Sequence, residues 1–329
     1  MATINSRSAL TLVDLAKLQD PNGNLATIAE VLEESNPILE DAQWMEANGK
    51  TSHDIVRRLS LPSGSIRTLN NGVAAEVSNT VHVVEGMEML ESWSQCDKAL
   101  ADMSGNSALF RSNEAKAFLE GMGQTYAESM VYGNASTTPG EIDGFATRMA
   151  TIDADGVVID GGGSSTLTSI YAVQWGANKV MGIYPMGGAG NVGITHTDLG
   201  EQILTNSTTS LDYLGYKDHF KIHGGIAVYN SKCIGRYANI NTTVGGANAF
   251  DEDYLIRLTN RMLNGGRGVT YYVSTEILSQ MQIRLKDKTN VWFSSGKGNG
   301  LSGEEIMFFM GHPVKMVDQI LNAETEITT

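Results

Sequence analysis

Three stretches hold residue types whose spacing could do chemistry. Gly188-Ala189-Gly190-Asn191-Val192-Gly193 has the GxGxxG spacing. That spacing cradles a dinucleotide pyrophosphate only where it leaves a strand and opens a helix. Pro185 sits just before it and Ile194-Thr195-His196-Thr197-Asp198 follows, a poor helix start, so the stretch reads as a loop. Gly296-Lys297-Gly298-Asn299-Gly300 has the look of a phosphate loop but lacks the upstream glycine and the Ser or Thr after the lysine. His219 and His223 stand four apart, as metal ligands on a helix do. The surrounding "HFKIH" is strand-like, and in a strand the two would share a face about 13 Å apart, too far to hold one ion.

The remaining candidates are weaker. His53, His82, His196 and His312 have no ligand partner in spacing, and Asp153/Asp155 and Glu304/Glu305 read as solvated loop charge. Carboxylate pairs mean acid–base catalysis only when three-dimensional placement supports it. Cys96 and Cys233 are the only cysteines, too few for a disulfide framework or a cysteine zinc site, and they fit a reducing compartment. The residues therefore point to no catalytic group, no cofactor and no metal. A nucleotide-binding enzyme using the glycine-rich loop 187–193 stays open as an alternative.

The bulk numbers bound the rest. The chain has 329 residues, 41% hydrophobic and 18% charged, enough for about two domains with real cores. With 36 glycines and 6 prolines, it should hold many turns in strand-rich structure. The net charge of -14 argues against tight nonspecific nucleic-acid binding, which needs dense Lys and Arg. The first residues show no basic region followed by an apolar core, so no secretory signal is expected. No apolar run approaches the about 20 residues of a membrane span, so no membrane partner is expected.

The elements follow from periodicity. Residues 1–45 read as an arm, with a helical pattern at Leu25, Ile28, Ala29 and Leu32 that Pro37 closes. Residues 46–85 are rich in Val, Ile, Thr and Ser, with turn signals at Pro62-Ser63-Gly64 and Asn71-Gly72, and read as a long β-hairpin. The inner part of the hairpin, between Glu46 and Glu85, carries Lys50, Arg57, Arg58 and Arg67 against Asp54 and Glu76, a local +2. An isolated hairpin is barely stable, so this one needs something to lie on.

The strongest helix runs over about 112–132, with Ala115, Phe118, Leu119, Met122, Tyr126 and Met130 on one stripe. Ser112 or Asn113 should cap it, Glu114 should lie near its positive end, and Gly133-Asn134 should form a left-handed stop. Gly121 and Gly123 weaken it, which suggests a bend or a close backbone. After a punctuated hinge, "TLTSIYAVQWGANKVMGIYP" and "HFKIHGGIAVYNSKCIGRYANI" read as strands, the first broken by Gly176 and the second with a bulge or bend at Gly224-Gly225. The glycine-rich link between them reads as a loop. Helices at "DEDYLIRLTNRMLNGG" and "TEILSQMQIRLKDKT", a strand at "VTYYVS" and a final strand pair around Gly311-His312-Pro313 complete a mixed α+β portion.

This order resembles the major capsid proteins of tailed bacteriophages, the Hong Kong ninety-seven-type fold, in its short-tailed phage form. "HDIVRRLSLPSGSIRTLNNGV" resembles the extended E-loop, and "SNEAKAFLEGMGQTYAESMVYGN" the spine helix. "TTPGEIDGFATRM" resembles the connection out of that helix, and "SIYAVQWGANKVMGIYP", "RYANI" and "GHPVKMVDQIL" continue the match. The resemblance implies an arm (1–45), an E-loop (46–85), a peripheral domain (86–150) rejoined by strands near 215–245, and an axial domain (151–329).

The resemblance further implies self-assembly into hexamers and pentamers of an icosahedral shell around double-stranded DNA, built in the bacterial host cytoplasm. The DNA would be enclosed without sequence-specific binding. A portal, a separate scaffolding protein and a decoration protein are the implied partners. Lys50 lies at the hairpin base rather than its tip, so no cross-link is carried over. An encapsulin-type compartment of the same fold is the second alternative. The inter-subunit contacts expected are Arg57, Arg58 and Arg67 against Glu114, Glu120 and Glu128 of a neighbour's long helix, which has a net -2 from Asn113 to Met130.

Overall fold

The computed structural model describes residues 36–153, 156–187, 193–206, 210–285, 293–297 and 305–328. Of the arm expected over residues 1–45, residues 1–35 lie outside them. In chain order the elements are α1 (Pro37–Asp41), β1 (Trp44–Glu46), β2 (Ser52–Arg58), β3 (Thr80–Gly86), β4 (Glu88–Asp97), α2 (Lys98–Met103), α3 (Ser107–Tyr132) and α4 (Phe145–Arg148). There follow β5 (Val158–Asp160), β6 (Leu167–Val173), β7 (Val180–Tyr184), β8 (Ile194–Thr205), β9 (Asp212–Val228) and β10 (Ile234–Asn241). The chain closes with α5 (Glu252–Arg261), β11 (Thr270–Val273), α6 (Thr275–Leu285), β12 (Phe293–Lys297), β13 (Glu305–Phe309) and β14 (His312–Met316).

The chain divides into two compact units. One comprises the described residues of Met89–Ala127 and Asn191–His223. In it β8 pairs antiparallel with β9, from Ile194↔Ile222 to Thr205↔Asp212. The register shifts between Asp198 and Glu201, where Gly200 takes φ +71°. Cys96, Leu100, Ala101 and Phe110 form a small core with Tyr216 against it. Phe118 of α3 stacks on Phe220 of β9 at 5.3 Å.

The second unit comprises the described residues of Asn36–Glu88, Glu128–Gly190 and Gly224–Thr329. Its main sheet has the order β12-β13-β14-β11-β6-β10-β5. Every residue of the central strand β6 is buried, so both faces are covered. Ile170 and Ala172 point to one side, where Leu255 and Leu258 of α5 and Ile277 and Met281 of α6 complete the core. Ser169 and Tyr171 point to the other. Asp251 caps α5 by accepting from Asp253 N at 3.1 Å. Met310 (φ +51°) and Gly311 (φ +79°) make the two-residue turn between β13 and β14, which needs left-handed backbone at both positions.

Several expectations change. Pro37 opens α1 as a first-turn proline instead of closing a helix. The long helix begins at Ser107, where the Asn106 side chain accepts from Leu109 N at 3.1 Å. Glu114 is thus two turns in, beyond the dipole's end. Neither Gly133 nor Asn134 is left-handed. Gly133 is required for room, since a Cβ there would stand 2.4 Å from the Ile142 carbonyl oxygen. Nothing among the described residues lies within 4 Å of a Cβ built at Gly121 or Gly123, so no described backbone explains them. Gly225 sits in regular register opposite Ile183 and is no bulge; a Cβ there would meet Gly86 O at 2.5 Å. Much of the expected loop after residue 186 is strand β8.

Candidate assembly surface

β2 and β3 pair from Ser52↔Gly86 to Arg58↔Thr80. The hairpin is therefore real but shorter than the 46–85 stretch suggests. Its base is tied down by Glu85, which is 4% exposed. Arg148 grips Glu85 with two bonds, 2.7 Å to Oε2 and 3.1 Å to Oε1, and Arg57 adds one at 2.9 Å. Arg57 also donates to the Val228 carbonyl. Two guanidiniums on one desolvated carboxylate form a strong, directional anchor. Arg57, expected to face a neighbour, is thus engaged within its own chain.

Beyond Arg58 the strand pairing stops. Residues 59–79 form no strand and are exposed. The Glu76 carboxylate accepts from Ser63 N at 2.7 Å and Gly64 N at 3.1 Å. Gly64 (φ +70°) marks the first expected turn, and the second falls on Asn70 (φ +64°), just before Asn71-Gly72. Leu59, Leu61, Leu69, Val77 and a fully exposed Ile66 (103%) project into solvent beside exposed Arg58 and Arg67. Apolar residues in such number are unusual on the surface of a chain that works alone.

On α3, Glu120 accepts from Gln124 Nε2 at 3.0 Å, Glu114 is half-buried and Glu128 is exposed. Arg111 reaches Asp198 at 2.5 Å and Asp218 at 2.7 Å, and His196 shares Asp218 at 3.0 Å. Arg111 holds the Asp198 carboxyl below its usual range. This cluster lines a shallow groove of about 400 Å³ and is the nearest approach to a catalytic constellation. Its carboxylates are satisfied by its own cations, which reads as a tie between α3 and the β8–β9 ribbon.

The other chemical candidates fall into place. Gly193 (φ +94°) leads into strand β8, where a dinucleotide site opens a helix; Gly188–Val192 lie outside the described residues. Residues 298–304 of the lysine-glycine loop, and Asp155 and Glu304 of the acidic pairs, lie outside them too. His219 and His223 lie on strand β9 as expected, and His219 stacks on Trp93 at 4.1 Å and faces Glu91 at 3.3 Å. Among the described residues no group of three or more His, Cys, Asp or Glu could hold a metal, and no helix is long and apolar enough to cross a membrane. Cys96 and Cys233 are buried and form no disulfide, and burial pushes the Cys96 thiol up to about 11.

The second unit holds one cluster that no spacing announced. Glu324 and Arg236, each 5% exposed in their side chains, pair at 2.9 Å. Glu324 also accepts from Tyr132 OH at 2.6 Å, from Tyr171 OH at 3.1 Å and from the Ser169 hydroxyl. Arg236 donates to Ser169 Oγ at 3.0 Å and Met149 O at 3.1 Å. The Tyr132 hydroxyl accepts from Leu321 N at 2.9 Å. Burial, first, and the Glu324 charge push both tyrosine hydroxyls well above their ordinary range. The end of α3, the central sheet and the C-terminal segment meet on this one buried carboxylate.

The described surfaces offer buried ionic anchors and an exposed apolar segment. The sequence matches the family described as "Major capsid protein GP7" over residues 20–328. The chain belongs to the GP7 family of major capsid proteins. A bacteriophage Epsilon15 structure is 25% identical, with TM-score 0.76 and all of both chains covered. The capsid of bacteriophage JBD30 is 11% identical, with TM-score 0.54, 94% of this chain and 99% of that one covered. No curated protein matches. The α+β phage capsid fold expected from the sequence is the fold found, and GP7 membership makes this a structural protein of a phage capsid shell. The encapsulin-type alternative gives way to it.

Proposed function

We propose that this GP7-family chain is the repeating, non-catalytic subunit of an icosahedral shell around double-stranded DNA, assembled through hexamers and pentamers of itself. The observation that carries the reading is the segment 59–79, exposed, bearing Leu59, Leu61, Ile66, Leu69 and Val77, and joined to strand pairing only at its base. Such a segment buries its leucines and isoleucine only by lying on another copy. Arg58 and Arg67 travel with it, and Glu114, Glu120 and Glu128 of a neighbour's α3 offer opposite charge. Arg57 serves this contact indirectly by fixing the hairpin base on Glu85. We assign the peripheral role to the unit of Met89–Ala127 and Asn191–His223 and the axial role to the other. A portal, a scaffolding protein and a decoration protein are the expected further partners. The acidic balance suits a lining that leaves DNA free to pack and exit.

The test is Arg58→Glu with Arg67→Glu. Circular dichroism should show an unchanged fold while particle yield, by light scattering and negative-stain microscopy, drops. Exposed pairs contribute about 0–1 kcal/mol each, but a closed shell repeats the contact at every equivalent interface. A variant that folds and assembles normally at low and moderate salt removes these charges from the account.

A further inference from the structure

One buried titratable group stands outside the ties described so far. Glu88 opens β4, two residues after the end of hairpin strand β3, and is 5% exposed. Its Oε2 accepts from Ile142 N at 3.3 Å, and its carboxyl also bonds the Ser129 hydroxyl near the end of α3. From the loop after α3, Glu141 adds a like charge. On β3, Glu85 already takes both nearby guanidiniums, Arg57 and Arg148. Glu88 thus has two neutral donors and no cation among the groups that act on it.

The loop it touches cannot easily yield. Ile142 is 2% exposed. Gly144 N donates to Gly133 O at 2.9 Å, and a Cβ on Gly144 would stand 2.7 Å from the Val131 carbonyl. A neutral carboxyl fits this packing; a carboxylate there lacks the hydration or the cation that a buried charge requires.

We propose that Glu88 is a proton-operated latch between the base of the hairpin and the loop that follows the long helix, closed when the carboxyl is neutral and loosened when it ionises. The device belongs to the chain itself, whether free or in a shell. Burial, the largest influence, lifts the carboxyl from 4.5 to about 7, with the bonds from Ile142 and Ser129 acting the other way. The closed form therefore binds the proton more tightly than the open one. Its contribution is fully present below the ordinary carboxyl value and is lost as pH rises through about 7. The hairpin that carries the exposed segment 59–79 would be held more firmly on the acid side of neutrality.

Hydrogen exchange on the full-length, unassembled chain tests this. After correction for intrinsic rates, the protection factor of the Ile142 amide should fall by about 70-fold from pH 5 to pH 8, the change expected for a group at about 7 closed and 4.5 open. Glu88→Gln keeps an acceptor for Ile142 and cannot ionise, so its protection should be flat across that range. Protection independent of pH in the natural chain, or the same slope in Glu88→Gln, overturns the latch. Should the variant fail to fold, carbon-13 titration of Glu88 in the natural chain decides: a midpoint near 7 supports the proposal and one near 4.5 overturns it. Neither readout involves assembly, so failure here leaves the capsid reading untouched.

Discussion

Removing the Glu324 carboxylate should be the most damaging single change in the second unit. Glu324→Ala leaves the Arg236 guanidinium, whose side chain is 5% exposed, without its counter-charge, and strips an acceptor from Ser169, Tyr132 and Tyr171. Breaking one side of a buried ion pair costs about 3–5 kcal/mol, because the surviving charge cannot recover its water. The loss falls where three segments meet: Tyr132 closes α3, Tyr171 lies on the central strand, and Glu324 N bonds Leu167 O at 2.8 Å. Urea denaturation of the unassembled chain, followed by near-ultraviolet circular dichroism, should show the unfolding free energy lowered by that amount, as an earlier midpoint at unchanged slope. The double variant Arg236→Met with Glu324→Leu removes both charges and should recover much of the loss, since an apolar pair of similar volume is often neutral or better. A loss below about 1 kcal/mol for Glu324→Ala, or a double variant worse than the single one, would refute the view that charge compensation holds this junction.

Three further outcomes are expected. Gly121→Ala should stabilise the unassembled chain by up to about 1 kcal/mol, because its methyl meets nothing within 4 Å and the helix propensity rises; thermal melting checks it. Gly144→Ala should destabilise by about 1–3 kcal/mol, since the added Cβ lands 2.7 Å from the Val131 carbonyl and 2.8 Å from Gly133 N. Glu85→Ala should cost about 1–3 kcal/mol and raise exchange at the β2–β3 amides, as Arg57 and Arg148 lose their shared partner but keep some access to water.

Local signals carried far in this chain, and their failures have physical causes. The strand at Leu167–Val173 and the helix behind Asp251 were readable because apolar runs and a capping carboxylate act over a few residues; the final strand pair was readable from Gly311, although its turn is Met310-Gly311 and His312 and Pro313 already belong to β14. Strand β8 was hidden: its exposed Thr195, His196, Thr197 and Asp198 have loop-like composition, and its strand partner among the described residues is β9. The true start of α3 was hidden because Ser112 and Asn113 look like a better cap than Asn106. Most of the anchoring lies beyond local signals. Arg236 and Glu324 are 88 residues apart, and Glu85 and Arg148 are 63 apart, so nothing in the spacing links them. The basic character of the hairpin was legible, while the diversion of Arg57 to Glu85 depends on a contact only the folded chain brings about.

The segment 59–79 has a consequence for fidelity. On the docking role proposed for it, an element with no strand pairing of its own would lose conformational freedom each time it seated on a partner, which would subtract from the affinity of every single contact. Individual dockings made through it would then be short-lived. A copy arriving at the wrong angle would leave before its neighbours trapped it, whereas one correctly placed would gain contacts on several sides at once. Weak, repeated, reversible engagement is what lets a large closed assembly correct its own errors.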